Sequence, residues 1–296
     1  MAWPQTTPEN LYNLIYEAGP ALPGYKRYWK YANLVQGSQA PLTALAKQEE
    51  CYWAVENQAK KLPGGSRILE VGSGLGYLTY ALHRAGYAAH GIEISDTATR
   101  LAKNRFGALF ETADLFSHAA SHPGRYDLVI LTEVIEHIEA PLPFLHAAMR
   151  MLRPSGQLLV TTPNKSAYAA SVLWDSELPP VHWWWFTEEF FRQLCRTARC
   201  LAAFVDFTPY YRAGYGCLLP AVVQPHMVRK RQPCFSADGG LIAWTDQHES
   251  PVLATIKRVR FIRKLIRQFR FIDRPAGCAC NSGVLAVVLT KPENGR

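Results

Sequence analysis

Between residues 66 and 163, short apolar runs alternate with helical patterns, and this alternation limits the fold more than any other feature of the chain. The strands predicted from the apolar runs are 68–71, 87–92, 108–113, 126–132 and 157–162. Helices are predicted between them at 76–85, from a cap at Ser95 to about 105, and after Pro141. Strands of this length that alternate with helices are typical of βαβ units and a parallel sheet.

A helix at 187–198 and strands at 200–208 and 283–290 extend the same pattern towards the end of the chain. The strands then number seven, which predicts an α/β fold with a Rossmann-like, mostly parallel sheet flanked by helices. The core of this fold is predicted to span 65–208, with its last strand and a tail at 283–296.

Two further regions are predicted outside this core. Residues 1–64 are aromatic-rich, with helical patterns at 8–18 and 41–62, and are expected to form a helical N-terminal lid. Residues 209–282 are expected to form an insertion before the last strand, since a minimal fold of this kind does not need them.

The composition, with 48% hydrophobic and 19% charged residues, is that of a globular protein. The sequence starts without a basic region followed by an apolar one, and no apolar run approaches 18 residues, so neither a secretory signal nor a spanning helix is expected. The seven cysteines are scattered without metal-ligand spacing, which favours reduced thiols. These features predict a cytoplasmic protein.

The net charge of +8 is concentrated in residues 257–274, which hold eight basic residues and the single acid Asp273. On a helical wheel seven of the eight bases fall opposite the apolar residues, with Arg258 the exception. The segment is therefore predicted to be a basic amphipathic helix. It would either pack on the body of the protein, lie peripherally on a membrane surface, or face an acidic ligand or nucleic acid.

A glycine-rich loop follows the first predicted strand and opens a helix. Its glycines are Gly72, Gly74 and Gly76, with Ser73 between the first two. Glycines let the backbone turn tightly and let a ligand approach it closely. The dinucleotide fingerprint needs its third glycine one residue later, where this chain has Tyr77. The spacing therefore disfavours NAD and favours S-adenosylmethionine.

Three acidic residues lie at or near the ends of successive predicted strands. Glu70 precedes the loop by two residues, where a carboxylate suits an ammonium group and would repel a pyrophosphate. Glu93, at the end of the second strand, is placed to accept hydrogen bonds from both ribose hydroxyls. Asp114, after the third strand, is placed to accept one from the adenine amine.

This pattern resembles the class I S-adenosylmethionine-dependent methyltransferases over roughly residues 65–205 and the last strand. The run from Leu152 to Leu158 is similar to that family's turn before its fifth strand, with Ser155 where a glycine is common. The resemblance implies a site in which Glu93 holds the ribose and Asp114 and Leu115 hold the adenine. The remaining residues implied in cofactor binding are Glu70, Gly72, Ser73, Gly74, Gly76, Tyr77, Ile94 and Glu133.

A second polar group follows the fourth predicted strand. It comprises Glu133, Glu136 and His137, which would share one face if 133–137 were helical. His182 lies further along the chain, just before three consecutive tryptophans. Ligands of open α/β sheets bind at the carboxyl ends of strands, so these residues are expected to face the substrate.

Within the superfamily, this second group resembles two branches: the ubiquinone-biosynthesis O-methyltransferases and the small-RNA 2′-O-methyltransferases. The resemblance implies His137, His182 and Glu136 as catalytic residues, and a divalent cation on Glu133, Glu136, His137 and His182. Such a ligand set suits Zn²⁺ or Mn²⁺ better than Mg²⁺. Two alternatives stay open: a metal-free role in which His137 orients the substrate or acts as the general base, and simple helix capping.

The function predicted from the sequence is transfer of a methyl group to an oxygen, or less readily a nitrogen, of a small molecule. Trp183, Trp184 and Trp185 cannot all face inward, which favours an aromatic or lipid-like acceptor. An RNA 2′-O-methyltransferase is the first alternative, although no RNA-binding module is recognisable and no nucleic-acid partner is expected. A non-catalytic S-adenosylmethionine-binding protein is the second, and a nicotinamide oxidoreductase is a remote third.

Overall fold

The computed structural model describes residues 11–21, 25–167, 181–215, 279–280 and 282–292. Within these ranges, four helices come before the first strand: α1 (Leu11–Ala18), α2 (Lys26–Gln36), α3 (Pro41–Ala46) and α4 (Glu50–Ala59). The predicted basic helix at 257–274 lies outside the described residues. In the part of the chain that the structure describes, no helix is both long and apolar enough to cross a membrane.

Strands and helices then alternate as the sequence predicts. The first half contains β1 (Arg67–Val71), α5 (Tyr77–Arg84), β2 (Ala88–Glu93), α6 (Asp96–Phe106), β3 (Phe110–Thr112), α7 (Leu115–Ser121) and β4 (Tyr126–Thr132). The second half contains α8 (Pro141–Arg150), β5 (Leu152–Pro163), α9 (Glu188–Ala198), β6 (Leu201–Phe204), α10 (Thr208–Arg212) and β7 (Val284–Thr290). A single turn of 3₁₀ helix at Ile135–His137 follows β4.

The seven strands form one sheet in the order β3-β2-β1-β4-β5-β7-β6. β7 runs antiparallel to its neighbours β5 and β6, and the other pairings are parallel. The strand order turns back between β1 and β4, because β2 and β3 lie on one side of β1 and β4 on the other. A ligand site is expected beyond the carboxyl ends of the strands at such a point. The predicted Rossmann-like, mostly parallel sheet is confirmed.

Each face of the sheet carries its own apolar core. Leu69 and Val71 pack in one cluster with α7, α8 and α9, whereas Ile68 packs in the other with α2 to α6. The division follows from the strand, whose successive side chains point to opposite faces. Fully burying one such aliphatic side chain stabilises the fold by about 1.5–3 kcal/mol. This double-sided burial holds the strand ends, and the loops beyond them, in fixed positions.

The structure corrects several predicted elements. The helical pattern at 41–62 is two helices, α3 and α4, and the aromatic, basic stretch before it forms α2. The sequence pattern predicts no helix at the positions of α7 and α10. β5 begins five residues before the predicted strand and contains Ser155 at a φ of 60°, so the predicted turn is a distortion within a longer strand.

Candidate functional site

The glycine loop joins β1 to α5 at the carboxyl edge of the sheet. The N–H groups of Gly72 and Ser73 both donate to the Ile92 carbonyl oxygen, at 2.9 and 3.0 Å, which ties the loop to β2. Gly74 has a φ of 50°, and a Cβ atom there would lie 2.6 Å from the Tyr16 hydroxyl oxygen. The loop is therefore held close to α1 by a backbone shape that favours glycine.

The same loop contains a buried polar atom that the described residues leave without a hydrogen bond. Ser73 is only 5% exposed, and its hydroxyl oxygen has no partner in that part of the chain. A buried hydroxyl without a partner costs stability unless a ligand or water completes it. The loop thus fits a bound polar ligand, as expected for a cofactor site that includes Ser73.

Glu93, at the end of β2, accepts hydrogen bonds from the loop itself. Its two carboxylate oxygens take the N–H groups of Gly74 and Ser95, each at 2.9 Å. Burial raises the pKa of this carboxyl, while the backbone donors act in the opposite direction by favouring the ionised form. The carboxylate is thus fixed between the glycine loop and the start of α6, where the resemblance places the ribose.

Glu70, near the end of β1, is buried. It accepts a short hydrogen bond from the Thr79 hydroxyl on α5. Burial raises the pKa of Glu70 to about 8, and the bond from Thr79 only partly offsets that rise. A cationic group placed against this carboxyl would favour its ionised form, so Glu70 suits an ammonium group.

The predicted adenine-side residues lie where β3 ends. Asp114 caps α7, with one carboxylate oxygen accepting the N–H groups of Phe116 and Ser117 at 2.9 and 3.0 Å. A hydrogen bond from the Ser117 side chain, together with these backbone bonds, lowers the pKa of Asp114. Leu115 is buried in the core, whereas Ile94, directly after Glu93, is 61% exposed. Asp114 therefore has a structural role as the N-cap of α7.

Tyr77 begins α5 directly after the loop and belongs to a group of packed tyrosines. Its hydroxyl oxygen lies 2.5 Å from that of Tyr52 on α4, and its ring stacks on that of Tyr28 on α2. The residue predicted to contact the cofactor thus also joins the N-terminal helices to the core.

Helix α1 lies over this edge of the sheet. The Ser95 hydroxyl donates to the Asn13 side-chain oxygen at 2.6 Å, which connects α1 to the start of α6. Tyr16, one helical turn after Tyr12, faces Gly74. The Tyr12 ring meets the His137 ring edge-on at a centroid distance of 6.4 Å. One face of α1 therefore spans both the glycine loop and the second polar group.

That second group brings together Glu136, His137 and His182. Each offers one ligand atom, and these three atoms lie within 4.8 Å of one another. The two imidazole rings are edge-to-face at 4.6 Å. His182 reaches this position because the N–H of Trp183 donates to the Glu136 carbonyl oxygen at 2.8 Å. Residues 45 positions apart in the sequence thus converge beyond β4.

The surroundings hold both histidines neutral. Burial lowers the pKa of His137, and burial together with the nearby His137 ring lowers that of His182. The Nδ1 atom of His137 lies 2.6 Å from the Val181 carbonyl oxygen, which can only accept, so Nδ1 carries the ring proton. Nε2 is then the nitrogen that can take a proton or bind a metal ion.

Glu133 does not belong to this three-residue group, although the sequence predicts that it does. Residues 133–137 do not form a helix with a shared face, because Glu133 has a φ of 53° and the 3₁₀ turn begins only at Ile135. The Glu133 carboxylate instead accepts a hydrogen bond from the Thr161 hydroxyl at 2.8 Å. The left-handed backbone redirects its side chain towards β5.

The three tryptophans have different surroundings. Trp184 is 45% exposed, and its indole N–H donates to the Ile138 carbonyl oxygen at 2.9 Å. The indole N–H of Trp185 is buried and has no partner among the described residues. Their environments differ, as expected for a run that cannot face inward throughout.

Several residues that hold the site in place are not predicted from the sequence. Thr162 donates to the Glu136 carboxylate at 2.9 Å, as Thr161 does to Glu133. Both threonines lie near the end of β5, which pairs with β4. This position next to the strand that precedes Glu133 and Glu136 is the sequence signal that could have identified them. Tyr12 and Tyr16 were also missed, although their spacing of four residues predicts a common helix face.

Comparison with known proteins identifies the family. A protein-family model described as a methyltransferase domain matches residues 46–198 of this chain. A ubiquinone biosynthesis O-methyltransferase of Xanthomonas campestris pv. campestris (strain B100) is 29% identical over 177 residues, covering 57% of this chain and 70% of that protein. The protein of the same name from Thiobacillus denitrificans is 31% identical over 108 residues, or 35% of this chain; the chain spans 47% of that relative's length.

Among solved structures, an S-adenosylmethionine-dependent methyltransferase from Archaeoglobus fulgidus shares the fold with a TM-score of 0.51. The match covers 89% of this chain and 99% of that one, at 15% sequence identity. The family match spans just over half of the chain. The order of the strands and the shape of the glycine loop agree with it. The chain therefore belongs to the family of S-adenosylmethionine-dependent methyltransferases.

Proposed function

We propose that this methyltransferase transfers the methyl group of S-adenosylmethionine to a hydroxyl oxygen of a small aromatic or lipid-like molecule. The observation that carries the proposal is the convergence of Glu136, His137 and His182 beyond β4. It lies at the same sheet edge as the glycine loop, and Tyr12 and Tyr16 on α1 connect the two. The names of the curated relatives, which are O-methyltransferases, support oxygen as the methylated atom.

The residues implied in holding the cofactor fit it well. The ribose would meet Glu93, the ammonium group Glu70, and the loop would receive the remainder of the methionine end. When bound, S-adenosylmethionine supplies a methyl group that is already activated for displacement. The protein then has two tasks: to align the acceptor with that methyl group and to remove one proton from the acceptor.

His137 is proposed to remove that proton. Its Nδ1–H is held by the Val181 carbonyl oxygen, so the ring is oriented and Nε2 is the basic atom. Its lowered pKa keeps the ring in the neutral, proton-accepting form at pH 7. A positioned general base of this kind contributes about 10²–10⁴-fold to a rate. Glu136, held by Thr162, and His182 would orient the ring and the acceptor.

A divalent cation is a second way in which the same three residues could act. Two imidazoles and a carboxylate suit Zn²⁺ or Mn²⁺, and both histidines are in the neutral form that metal binding requires. Such an ion would lower the pKa of an acceptor hydroxyl. In this version Glu136, His137 and His182 would hold the ion, and the acidified hydroxyl would lose its proton to water.

The proposed acceptor class rests on the aromatic side chains beside these residues. The Tyr12 ring borders His137, and the partly exposed Trp184 follows directly on from His182 and Trp183. Aromatic side chains present large flat apolar surfaces that pack well against rings and hydrocarbon chains. A phenol or catechol, with or without an apolar tail, fits this environment better than a small polar acceptor.

The test is transfer of a radiolabelled methyl group from S-adenosylmethionine to a panel of catechols and phenols, with and without apolar tails. His137→Asn keeps an N–H that can reach the Val181 carbonyl oxygen but lacks the basic Nε2. We expect kcat to fall by about 10²–10⁴-fold in this variant. His146→Asn, at an exposed position of α8, is the matched control and should retain wild-type activity. A kcat for His137→Asn close to the wild-type value would refute the assignment.

Chelation separates the two versions of the mechanism. If His137 is the general base, wild-type activity survives exhaustive chelation, and the acid limb of the pH–rate profile lies below the ordinary histidine pKa of about 6.5. If a cation acts, chelation abolishes the activity and Zn²⁺ or Mn²⁺ restores it. Transfer to none of the phenolic acceptors, with binding of S-adenosylmethionine intact, would reject the proposed acceptor class.

A further inference from the structure

Away from the cofactor edge, two buried cysteines meet where α9 ends and β6 begins. The Sγ atoms of Cys195 and Cys200 lie 2.7 Å apart, and both residues are less than a tenth exposed. This separation is well inside the roughly 3.5–4.0 Å at which non-bonded carbon atoms rest. Both cysteines carry free thiols in the structure. We propose that Cys195 and Cys200 form a reversible disulfide when the protein meets a low-molecular-weight disulfide such as oxidised glutathione.

The helix end explains why the two sulfur atoms meet. Arg199 ends α9 in the left-handed conformation, with a φ of 50°, and this reverses the chain direction. The N–H of Cys200 then donates to the Cys195 carbonyl oxygen at 3.2 Å. A bond between residues in these two positions is the signature of a helix end that brings their side chains into contact. The backbone at this helix end therefore brings the two sulfur atoms to within 2.7 Å of each other.

The other described cysteines have different partners. The Cys280 sulfur lies 3.3 Å from the Val205 carbonyl oxygen, and the Cys51 sulfur lies 3.8 Å from the Glu49 carboxylate. Neither is placed against another sulfur within the described part of the chain. Cys51 is therefore a matched control for Cys200, because it is also a buried thiol but has no sulfur neighbour in the described part of the chain.

The two thiols also differ in reactivity. The hydrogen bond between the two sulfur atoms lowers the pKa of Cys200 and, together with burial, raises that of Cys195. Cys200 is accordingly the thiolate that attacks first, since the thiolate is the nucleophile in disulfide exchange.

The exchange proceeds in two balanced steps. The Cys200 thiolate attacks one sulfur of glutathione disulfide, so the glutathione S–S bond breaks, a mixed disulfide forms and one glutathione leaves. The Cys195 sulfur, losing its proton, then attacks the Cys200 sulfur, and the second glutathione leaves. Two electrons and the two thiol hydrogens have passed to the two glutathione molecules.

Peptide mapping of the full chain tests this proposal. The reduced protein is equilibrated in glutathione buffers of graded composition, quenched with acid, alkylated and digested with trypsin without reduction. Trypsin cleaves after Arg192, Arg196, Arg199 and Arg212, so the two cysteines fall on the separate peptides 193–196 and 200–212. A disulfide between them appears as one species of their joined mass, which separates on reduction.

We expect the joined peptide from the folded protein, at a proportion of oxidised glutathione at least about tenfold lower than the urea-unfolded chain needs. Cys51→Ser should behave like the wild type, and Cys200→Ser should yield no joined peptide. If the folded protein forms no joined peptide, or forms it under the same conditions as the unfolded chain, the proposal is wrong. Glutathione retained on Cys200 without a bond to Cys195 would equally overturn it.

Discussion

At the residue scale, two buried glutamates of the same family pattern differ in their hydrogen-bond donors. Glu93 accepts backbone N–H groups on both oxygens, whereas Glu70 accepts hydrogen bonds from the hydroxyl and the backbone of Thr79. Donors favour the ionised form and burial disfavours it, so the two carboxyls are suited to different tasks. Glu93 is a fixed acceptor for hydroxyls, and Glu70 becomes ionised most readily beside a cation.

The first prediction concerns the ribose contact. Glu93→Gln keeps the shape of the side chain but removes its charge and one acceptor oxygen. Hydrogen bonds to charged groups are worth about 1.5–3 kcal/mol, so the Kd for S-adenosylmethionine should rise by roughly 10- to 150-fold. Calorimetric titration measures this change. Glu111→Gln, on β3 beside His90, is the matched control and should bind normally; equal affinity in both variants would contradict the ribose assignment.

The second prediction concerns proton release. With a pKa of about 8, Glu70 is mostly protonated at pH 7 in the free protein. An ammonium group beside it lowers that pKa, so binding of S-adenosylmethionine should release a proton and its affinity should rise between pH 6 and 8. Titrations in two buffers of different protonation enthalpy report this release, and Glu70→Gln should abolish it. Equal proton release in wild type and variant would place the ammonium group elsewhere.

The same raised pKa fixes the sign of the effect of Glu70 on stability without cofactor. The folded-state pKa lies above the unfolded value of about 4.3. The contribution of Glu70 to the free energy of unfolding is therefore present at low pH and is lost as pH rises through 8.

At the element scale, local pattern predicted some parts of the chain well and others poorly. β4 has the predicted bounds of 126–132, because its centre, 128–131, is a continuous apolar run that is buried on both faces. α2 was predicted only as an aromatic and basic stretch, since most of its large side chains are tyrosines and a tryptophan whose burial depends on packing against other helices. α7 is only seven residues long, and its start is set by the Asp114 cap rather than by periodicity.

The third prediction tests how α1 is held over the site. Asn13→Ala removes the hydrogen bond from the Ser95 hydroxyl but leaves the Ser95 cap of α6 on the Ala98 N–H intact. Losing one such bond costs about 0.5–1.5 kcal/mol, which should be confined to α1. Amide hydrogen exchange should become roughly 2- to 10-fold faster in α1 and stay unchanged in β1 and β4. Unchanged exchange in α1 would show that this bond does not hold the helix.

At the scale of the whole molecule, the sheet order brings separate acids to one edge. Each of these acids lies at or just beyond the carboxyl end of a strand, so the sequence alone could predict that they converge. The sequence could not predict that the Glu133 side chain points towards β5, because this depends on the left-handed backbone conformation of that one residue. The approach of His182 depends on backbone bonds formed only after the chain returns to β4, and no local pattern encodes them.

The contacts of α1 with the site likewise depend on the whole molecule. Tyr12 and Tyr16 lie on one helix face, but the sequence does not say which surface that face meets. The contacts with Gly74 and His137 exist because α1 packs beside α6 at the carboxyl edge of the sheet.

The central claim is that the loop Gly72–Gly76, with Glu70 and Glu93, is a site for S-adenosylmethionine rather than for a dinucleotide. Calorimetric titration of the wild-type chain with S-adenosylmethionine, its demethylated product and NAD tests this claim most directly. The account predicts one binding site for each of the first two ligands and no binding heat with NAD at the same concentrations. Binding of NAD, with no heat from S-adenosylmethionine or its product, would contradict it.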